Sequence, residues 1–280
     1  MTESHIALLH PGEMGAAVGR CLAGRGLPVS WVFDGRSAAT RARAAAAGLE
    51  ECLTLEQALD GAGIVLSICP PHGAMELARA VAGRKGFRGL YVDANAIAPS
   101  TARDIARLIE TAGGHFVDGG IIGPPPTSPG RTRFYVCGRA APEVAGLFAA
   151  TDLETIVLDG EVGAASALKM CFAAWNKGAT ALLAGIRALA QAEGVDSGLL
   201  AEWRLSRPEL PAQSEVVTTQ ARKAWRWVAE MDEIAATFEA AGLPGGFHHA
   251  AAEIFERLSG FKDGASNPSL DEVTAALLRR

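Results

Sequence analysis

A glycine turn near the N-terminus has the residue types and spacing of a phosphate-binding site. An apolar strand-like run leads into the segment His10–Gly15 (HPGEMG), and a helical pattern follows it. In such a strand–turn–helix, Gly12 lets the backbone approach a pyrophosphate and Gly15 lets the helix pack close to the strand. The helix N-terminus then presents its N–H groups to the phosphates. His10 stands where the pattern GxGxxG has its first glycine, so a turn without ligand stays an alternative, and we interpret His10 as a turn residue.

A second group of candidate ligands follows the next predicted strand. Asp34 comes 19 residues after Gly15, and an acid at about this distance usually accepts hydrogen bonds from the adenosine ribose, which favours NAD. Arg36, Ser37 and Arg41 lie just beyond it, and two guanidinium groups with a hydroxyl suit a ribose 2′-phosphate. The two interpretations conflict, because Asp34 would repel a phosphate if it pointed inward. We favour NADP, with NAD possible.

Composition and charge exclude several classes of protein. The 280 residues are 49% hydrophobic and 20% charged, as in folded globular chains, and the net charge of −5 comes with no basic run that could follow a nucleic-acid backbone. The 5 cysteines are scattered without a CxxC pair, which indicates a reducing compartment and neither a disulfide framework nor structural zinc. No targeting signal is visible, and the long apolar stretch 164–192 contains lysines and an arginine. We therefore expect a cytoplasmic protein without a membrane partner.

Short apolar runs alternate with helical stretches in the first 160 residues. Strands are predicted at 6–9, 29–33, 64–69, 90–93, 116–118, 133–137 and 155–158. Helices are predicted at 15–25 and 37–47, and Ser100 is expected to cap another that runs to about residue 111. Repeated strand–helix–strand spacing predicts a parallel, doubly wound sheet of the Rossmann type, covered by helices on both faces.

After Gly160 the sequence predicts helices alone. The first extends from Ala164 to about Glu193, and at ~1.5 Å per residue it is about 45 Å long, so we expect it to link two domains. Further helices are predicted at 214–241, at 247–258 and from Ser269, which begins a capping box. The predicted fold is thus α/β, with a Rossmann domain (1–160) and an all-α domain (161–280) joined by a long interdomain helix.

Five segments carry a family resemblance. They are His10–Gly15, similar to Gly-x-Gly-x-Met-Gly; Ile68–Pro70, similar to a hydrophobic-Leu-Pro strand end beside the nicotinamide ribose; Val92–Pro99, similar to Asp-x-Ser-Thr-x-x-Pro; Phe116–Gly123, similar to the substrate loop Asp-Ala-Pro-Val-Ser-Gly-Gly; and Gly160–Lys169, similar to Gly-x-x-Gly-x-Gly-x-x-x-Lys. Together they resemble the 6-phosphogluconate dehydrogenase-like superfamily, in its β-hydroxyacid dehydrogenase and imine reductase branch. Several segments are typical of a subgroup with a C-terminal domain of unknown function.

The resemblance implies an NAD(P)-dependent oxidoreductase that passes a hydride between nicotinamide and a carbonyl or alcohol carbon. The family's interdomain-helix lysine, which gives or takes the hydroxyl proton, corresponds to Lys169. Hydride delivery to a carbonyl produces an alkoxide that a positioned acid must protonate, and burial in a cleft would lower the pKa of Lys169 towards the working range. Imine reductases usually replace this lysine, so Lys169 favours oxygen chemistry. Imine reduction and a non-catalytic nucleotide-binding sensor stay as alternatives.

Departures from the family motifs concern the substrate. The usual asparagine after the lysine is absent, and we expect Asn176, two turns beyond Lys169, to supply that polar contact unless it is an exposed surface residue. The family serine is replaced by Ile122 and the Ser-Thr pair by Asn95-Ala96. This change favours a bulkier, apolar carbonyl or an imine over a β-hydroxy carboxylate. The run 123–127 is expected to be a stiff loop at the cleft mouth or a rigid surface turn.

The helical half offers fewer chemical groups. Glu230 is interpreted as part of a solvated face, with an amine ligand or a modulator of Lys169 as alternatives. Trp225, Trp227 and Phe238 are expected to pack the helical core. His248 and His249 are adjacent and point to different sides of a helix, so no catalytic metal is predicted. Relatives are commonly dimers, and we expect a homodimer through residues beyond 160.

The predicted site has three groups of residues. The predicted catalytic residues are Lys169 and Asn176. The predicted cofactor ligands are Gly12, Glu13, Met14, Gly15, Asp34, Arg36, Ser37, Arg41, Cys69, Pro70 and Asn95. The predicted substrate contacts are Asn95, Gly120, Ile121, Ile122 and Gly123.

Overall fold

The chain divides into two compact units, Met1–Lys169 and Met170–Arg280. The structure, a computed structural model, describes residues 5–84 and 86–279. The N-terminal residues that entered the expectation about targeting, 1–4, lie outside the described residues. The proposed domain boundary near residue 160 lies in the turn that precedes the long helix.

The first unit contains a sheet of eight strands among the described residues, in the order β3-β2-β1-β4-β5-β6-β7-β8. The strands are β1 His5–Leu9, β2 Val29–Val32, β3 Glu50–Cys52, β4 Ala62–Ser67, β5 Leu90–Asp93, β6 His115–Ile122, β7 Thr132–Cys137 and β8 Leu153–Val157. The helices beside them are α1 Glu13–Ala23, α2 Ala38–Ala46, α3 Leu55–Leu59, α4 Ala74–Ala82, α5 Pro99–Thr111 and α6 Ala141–Leu147, with a 3₁₀ turn at Pro71–Gly73.

Both faces of this sheet are buried, as the unbroken apolar run in β1 predicts. Ile6 and Leu8 belong to one hydrophobic cluster, and Ala7 and Leu9 to another on the opposite face. Neighbouring residues of a strand point to opposite faces, so a strand covered on both sides needs apolar residues at every position. The predicted doubly wound Rossmann sheet is confirmed.

The prediction of an entirely parallel sheet is wrong at one strand. β7 pairs antiparallel with β6, from Asp118 opposite Cys137 to Ile122 opposite Arg133. The connection between them, residues 123–131, contains no helix, and a parallel crossover needs about a dozen residues, usually a helix. The chain therefore turns back directly, and β8 then pairs parallel with β7.

The start of α5 differs from the sequence prediction. Ser100 was expected to cap this helix, but the N-cap is Ala98 and Pro99 occupies the first helical position. Proline suits that position because its fixed φ is already helical and its missing N–H would have no partner there.

The second unit is helical, and α7 Ala164–Ala192 extends into it from the first. The other helices are α8 Asp196–Ser206, α9 Leu210–Gln220, α10 Trp227–Ala240, α11 Gly246–Arg257 and α12 Leu270–Leu278, with 3₁₀ turns at Ala221–Arg226 and Ser259–Phe261. The predicted capping box is confirmed, because Ser269 and Glu272 exchange side-chain and backbone hydrogen bonds.

The expectation of one helix over 214–241 is wrong, because the 3₁₀ turn Ala221–Arg226 separates α9 from α10. This turn gives α10 a new direction towards α11, where Trp227 meets Phe255 edge to face at 5.0 Å. Phe238 lies against His248. Trp225, also expected to pack the core, is half-buried and contacts the cations of Arg226 and Lys262 through its ring. The described part of the chain has no helix with the length and apolarity needed to span a membrane.

Candidate functional site

Three parallel strands, β1, β4 and β5, end together at one edge of the sheet, and β6 passes the same level at Asp118. Leu9, Ser67, Asp93 and Asp118 are in register across β1, β4, β5 and β6. The strand order reverses at β1, since β2 lies on one side of it and β4 on the other. In open α/β sheets, ligands bind beyond the carboxyl ends of the strands at such a switch point. The segments directly after this row therefore form the candidate site.

The turn between β1 and α1 has an open side and a tight side. Gly12 is the N-cap of α1, is exposed, and has no atom within 4 Å of the position a Cβ would take. At Gly15 an added Cβ would collide with the carbonyl oxygen of His10. A ligand can thus approach the backbone at Gly12, while Gly15 allows α1 to start close to the strand. Of the residues between them, Glu13 is exposed and Met14 packs against the core.

His10 performs the conformational role of the missing first glycine. Its φ is +69°, a left-handed conformation that histidine adopts more readily than most residues. Its Nε2 lies 3.0 Å from Nη2 of Arg36. Arginine can only donate, so this nitrogen of His10 accepts and carries no proton. Burial, together with the positive charges of Arg36 and His72, lowers the pKa of His10 to about 4.

The side chains after β2 differ in how fully their polar groups are bonded within the protein. Ser37 caps α2 by accepting from the N–H of Thr40. Arg41 pairs with Glu51 at 2.7 Å and stacks on Phe33. The side chain of Arg36 contacts His10, and its buried Nε has no hydrogen-bond partner among the described residues. Asp34 is exposed. Arg36 is therefore the better placed of the two arginines to receive an anionic ligand.

The segment after β4 is fixed from within the protein by Asn95. Its Oδ1 accepts from the N–H of Cys69 at 2.5 Å, and its Nδ2 donates to Ser67 and Asp93. Asn95 is only 2% exposed, so it shapes the turn at Cys69 instead of presenting an amide to solvent. Burial raises the pKa of Cys69 to about 12, so the thiol keeps its proton. Pro70 is exposed at the same edge.

Asp118 anchors the head of α7. Its Oδ2 accepts from the backbone N–H groups of Gly163, Ala165 and Ser166 at 2.9–3.1 Å, and its Oδ1 accepts from the Ser166 hydroxyl. A helix N-terminus has N–H groups without an intrahelical acceptor and the positive end of the helix dipole. The Asp118 carboxyl group accepts hydrogen bonds from these N–H groups and lies at that positive end. Gly163 has φ +104°, which favours glycine at this position. One side chain from β6 thereby positions the helix that carries Lys169.

Lys169 lies directly against the last part of β6. An added Cβ at Gly120 would come within 2.9 Å of the Cβ of Lys169 and within 2.8 Å of the Ala165 carbonyl oxygen. Lys169 is half-buried. Lys169 thus lies beside Gly120, two residues after Asp118 in β6, at the carboxyl edge of the sheet. The Gly12 turn is at the same edge.

We expect Gly120→Ala to displace the head of α7. The new methyl would lie inside van der Waals distance of two atoms of α7, the Ala165 carbonyl oxygen and the Lys169 Cβ, so the helix must move away from β6. A loss of about 1–3 kcal/mol in the free energy of unfolding is expected, measured by urea denaturation. Gly146→Ala in α6 is the matched control, because its added methyl meets open space. Equal stability of the two variants would contradict the close contact at Lys169.

The segment expected to be a substrate loop is mostly strand, because residues 119–122 belong to β6. Their backbone pairs with β7, which extends the strand beyond its predicted end at Asp118. Ile121 and Ile122 are buried, and Gly123 is exposed with φ +127°. In the proline-rich run 123–127, the Pro126 carbonyl accepts a hydrogen bond from Arg20 of α1.

In the second unit, Asn176 and Glu230 have different surroundings. Asn176 is exposed, and its carbonyl oxygen accepts from the Thr180 hydroxyl. The interpretation of Glu230 as a solvated face is wrong, because it is 8% exposed and forms an ion pair with Lys177. A buried carboxylate needs such a cationic partner. No cluster of three or more His, Cys, Asp or Glu suited to a metal occurs in residues 5–84 and 86–279.

Sequence reasoning missed the role of Asp118 and underrated His10. Asp118 was recognised within a motif but received no function, because its partners at 163–166 lie some 45 positions later. The sequence did contain a signal. An acidic residue at the end of a strand can accept hydrogen bonds from the free N–H groups of a helix N-terminus, and the glycines before α7 mark such an N-terminus. The Arg36 contact of His10 depends on two loops that only the folded sheet brings together.

The fold and the edge site define a Rossmann domain followed by a helical domain. Residues 190–258, in the helical unit, match the family model of a domain of unknown function, DUF1932. No curated protein matches the sequence. Among solved structures, a conserved hypothetical protein from Sinorhizobium meliloti 1021 is 27% identical, with a TM-score of 0.69 and coverage of 99% of this chain and 96% of that one.

Two further structures indicate the wider family. The conserved protein MTH1747, of unknown function and described as structurally similar to 3-hydroxyacid dehydrogenases, is 28% identical, with a TM-score of 0.67 and coverage of 91% of this chain and 97% of that one. A Mycobacterium tuberculosis 3-hydroxyisobutyrate dehydrogenase is 20% identical, with a TM-score of 0.69 and coverage of 99% of both chains. Imine reductases share the fold as well. The chain has the fold that these 3-hydroxyacid dehydrogenases and imine reductases share, and part of its helical unit matches DUF1932, so the predicted resemblance is confirmed.

Proposed function

We propose that the protein is an NADP-preferring oxidoreductase that transfers a hydride between nicotinamide and a carbonyl or hydroxy substrate, with Lys169 as the general acid and base. The observation that carries this proposal is the placement of Lys169 against Gly120 at the carboxyl edge of the sheet that also holds the Gly12 turn. The similarity to 3-hydroxyacid dehydrogenases and imine reductases supports this class of reaction.

The residues of the first unit fit a dinucleotide. Gly12 leaves room for a pyrophosphate at the start of α1, and the buried Nε of Arg36 offers a donor without a partner among the described residues. Gly12, Glu13, Met14 and Gly15 would hold the pyrophosphate, and Asp34, Arg36 and Ser37 the adenosine ribose. Cys69, Pro70 and Asn95 would form the wall near the nicotinamide. NAD stays possible through Asp34.

A bound nicotinamide dinucleotide would supply or accept the hydride. The protein's own part is to hold and move a proton. Lys169 donates a proton to the substrate oxygen during reduction and removes one during oxidation. Asp118 keeps the head of α7 in place, so the ammonium group starts from a fixed backbone. We propose that Asn176 contacts a polar group of the substrate, and that buried Ile121 and Ile122 keep the β6 side apolar.

A binding and turnover experiment tests this function. Purified protein is titrated with NADPH and NADH by fluorescence, and NADPH oxidation is then followed with panels of apolar ketones, β-keto acids and preformed imines. We expect micromolar binding and turnover on a carbonyl. Turnover on imines alone would favour imine reduction, whereas binding without turnover on any panel would favour a nucleotide sensor. No binding of either dinucleotide would contradict the proposal. The 5 free cysteines support a reducing, cytoplasmic location.

We also propose a homodimer through the helical unit. Phe172, Trp175, Leu182 and Leu189 follow one another along α7 at intervals of three, seven and seven residues. All four side chains are exposed, and Trp175 has a relative exposure of 75%. An apolar stripe of this spacing on one helix is typical of a helix–helix seam. Light scattering should give twice the chain mass of 29.0 kDa, and Trp175→Asp should shift the protein towards monomer. A monomeric wild type would overturn the proposal.

A further inference from the structure

Two arginines from the β2–α2 region hold the turn that would receive the pyrophosphate. Arg36 donates to the ring of His10 at 3.0 Å, and Arg43 donates to the carbonyl oxygen of Pro11 at 3.4 Å. The turn after β1 and the loop after β2 are therefore linked by side chains. In a dinucleotide site these two segments contact neighbouring parts of the cofactor, the pyrophosphate and the adenosine ribose.

The contact between His10 and Arg36 leaves part of the guanidinium group available. Arginine has five N–H donors in a planar fork, and the ring of His10 accepts from Nη2 alone. The Nε is buried and has no partner among residues 5–84 and 86–279. A buried donor without an acceptor is costly, and an anion that entered beside the guanidinium group would supply the missing acceptor.

The neighbouring arginine differs in this respect. Arg41 is held by the carboxylate of Glu51 and by the ring of Phe33. The hydrogen-bond partner of Arg36 is a neutral imidazole, which fixes the position of the guanidinium group without forming an ion pair with it. The negative charge of exposed Asp34 also acts on Arg36, but no hydrogen bond or ion pair between the two is among the contacts of the described residues. Because the pKa of His10 is lowered to about 4, this ring stays neutral and able to accept throughout the physiological range.

We propose that His10 is a positioning residue for cofactor selectivity: its ring orients Arg36 so that the free edge of the guanidinium group binds the 2′-phosphate of NADP. This inference rests on the proposed use of a dinucleotide. Histidine at this position then combines two functions, since it also adopts the left-handed conformation that the turn needs. Glycine would satisfy the turn but would leave Arg36 without its support.

A double-mutant cycle on binding tests the proposal without requiring a substrate. The affinities of wild type, His10→Gly, Arg36→Ala and the double variant are measured by calorimetry for adenosine 2′,5′-bisphosphate and for AMP, which lacks the 2′-phosphate. We expect His10→Gly to weaken the 2′,5′-bisphosphate by about tenfold, the effect of losing one charge-assisted hydrogen bond, and to leave AMP unchanged. In the Arg36→Ala background, His10→Gly should cause no further change in the ratio of the two affinities, that for the 2′,5′-bisphosphate over that for AMP.

A conservative variant separates positioning from folding. Asparagine tolerates the left-handed conformation and keeps an acceptor oxygen, so His10→Asn should retain part of the selectivity that His10→Gly loses. An unchanged or increased preference for the 2′-phosphate in His10→Gly would overturn the inference. So would equal effects of His10→Gly in both backgrounds, or a wild type that prefers AMP. Failure of wild type to bind NADPH, NADH and both probes would instead contradict the proposed function itself.

Discussion

Lys169→Ala should lower kcat by about 10²–10⁴-fold on the carbonyl that the wild type reduces, the usual contribution of a general acid. The loss is expected because the alkoxide formed by hydride delivery would have to take its proton from water. Affinity for NADPH should stay within about twofold, since the glycine turn and Arg36 belong to other elements of the sheet edge. Steady-state kinetics and fluorescence titration measure the two quantities separately.

Lys262→Ala is the matched control for this variant. Lys262 is an exposed lysine that lies over Trp225. Its removal also takes one positive charge from the protein, at a residue to which the proposed function assigns no role. We expect its kcat to equal that of the wild type. A Lys169→Ala variant that retained wild-type kcat would remove Lys169 from the chemistry and would favour the alternative functions.

Asp118→Ala should lower the free energy of unfolding by about 3–5 kcal/mol, because each buried donor left without an acceptor costs about 1–3 kcal/mol. Three backbone N–H groups and the Ser166 hydroxyl lose their acceptor at once. The first turn of α7 should loosen, so kcat should fall as well even though Lys169 is intact. Urea denaturation followed by circular dichroism measures the stability.

Two further variants define this effect. Ser166→Ala removes only the hydroxyl contact with Asp118 and should cost about 1 kcal/mol. Asp263→Ala removes an exposed carboxylate and should change stability by no more than about 0.5 kcal/mol. If Asp118→Ala behaved like Asp263→Ala, the proposed anchoring of α7 would be incorrect.

Features that depend on neighbouring residues were predictable from the sequence. The β1 strand, the Gly12–Gly15 turn and the capping box at Ser269 involve residues at most a few positions apart, and each has a local chemical signature. The long helix α7 was predicted within one residue at its end, because its interior lacks proline and strong turn residues. Local propensity and hydrophobic pattern were sufficient in these segments.

Features that depend on distant residues were not predictable. β6 continues to Ile122 only because β7 pairs with it, and no property of the sequence 119–122 requires a strand. Glu230 has the sequence context of a solvated acid but is paired with Lys177 of another helix. The break at Ala221–Arg226 likewise contains neither proline nor glycine, so tertiary packing decides it. The glycine turn at the carboxyl edge was predicted from the sequence, whereas the contacts of Asp118, Asn95 and His10 that shape this edge were not.

The central claim is that this sheet edge supports hydride transfer from a nicotinamide cofactor, and isotope transfer tests it most directly. NADPH deuterated at one face of nicotinamide C4 is incubated with the enzyme and the carbonyl identified in the panel, and the product is analysed by mass spectrometry. The experiment is done twice, with the deuterium on one face of C4 and then on the other. We expect deuterium to appear at the carbinol carbon of the product with only one of the two labelled cofactors. A product that contains no deuterium with either labelled cofactor would contradict the account.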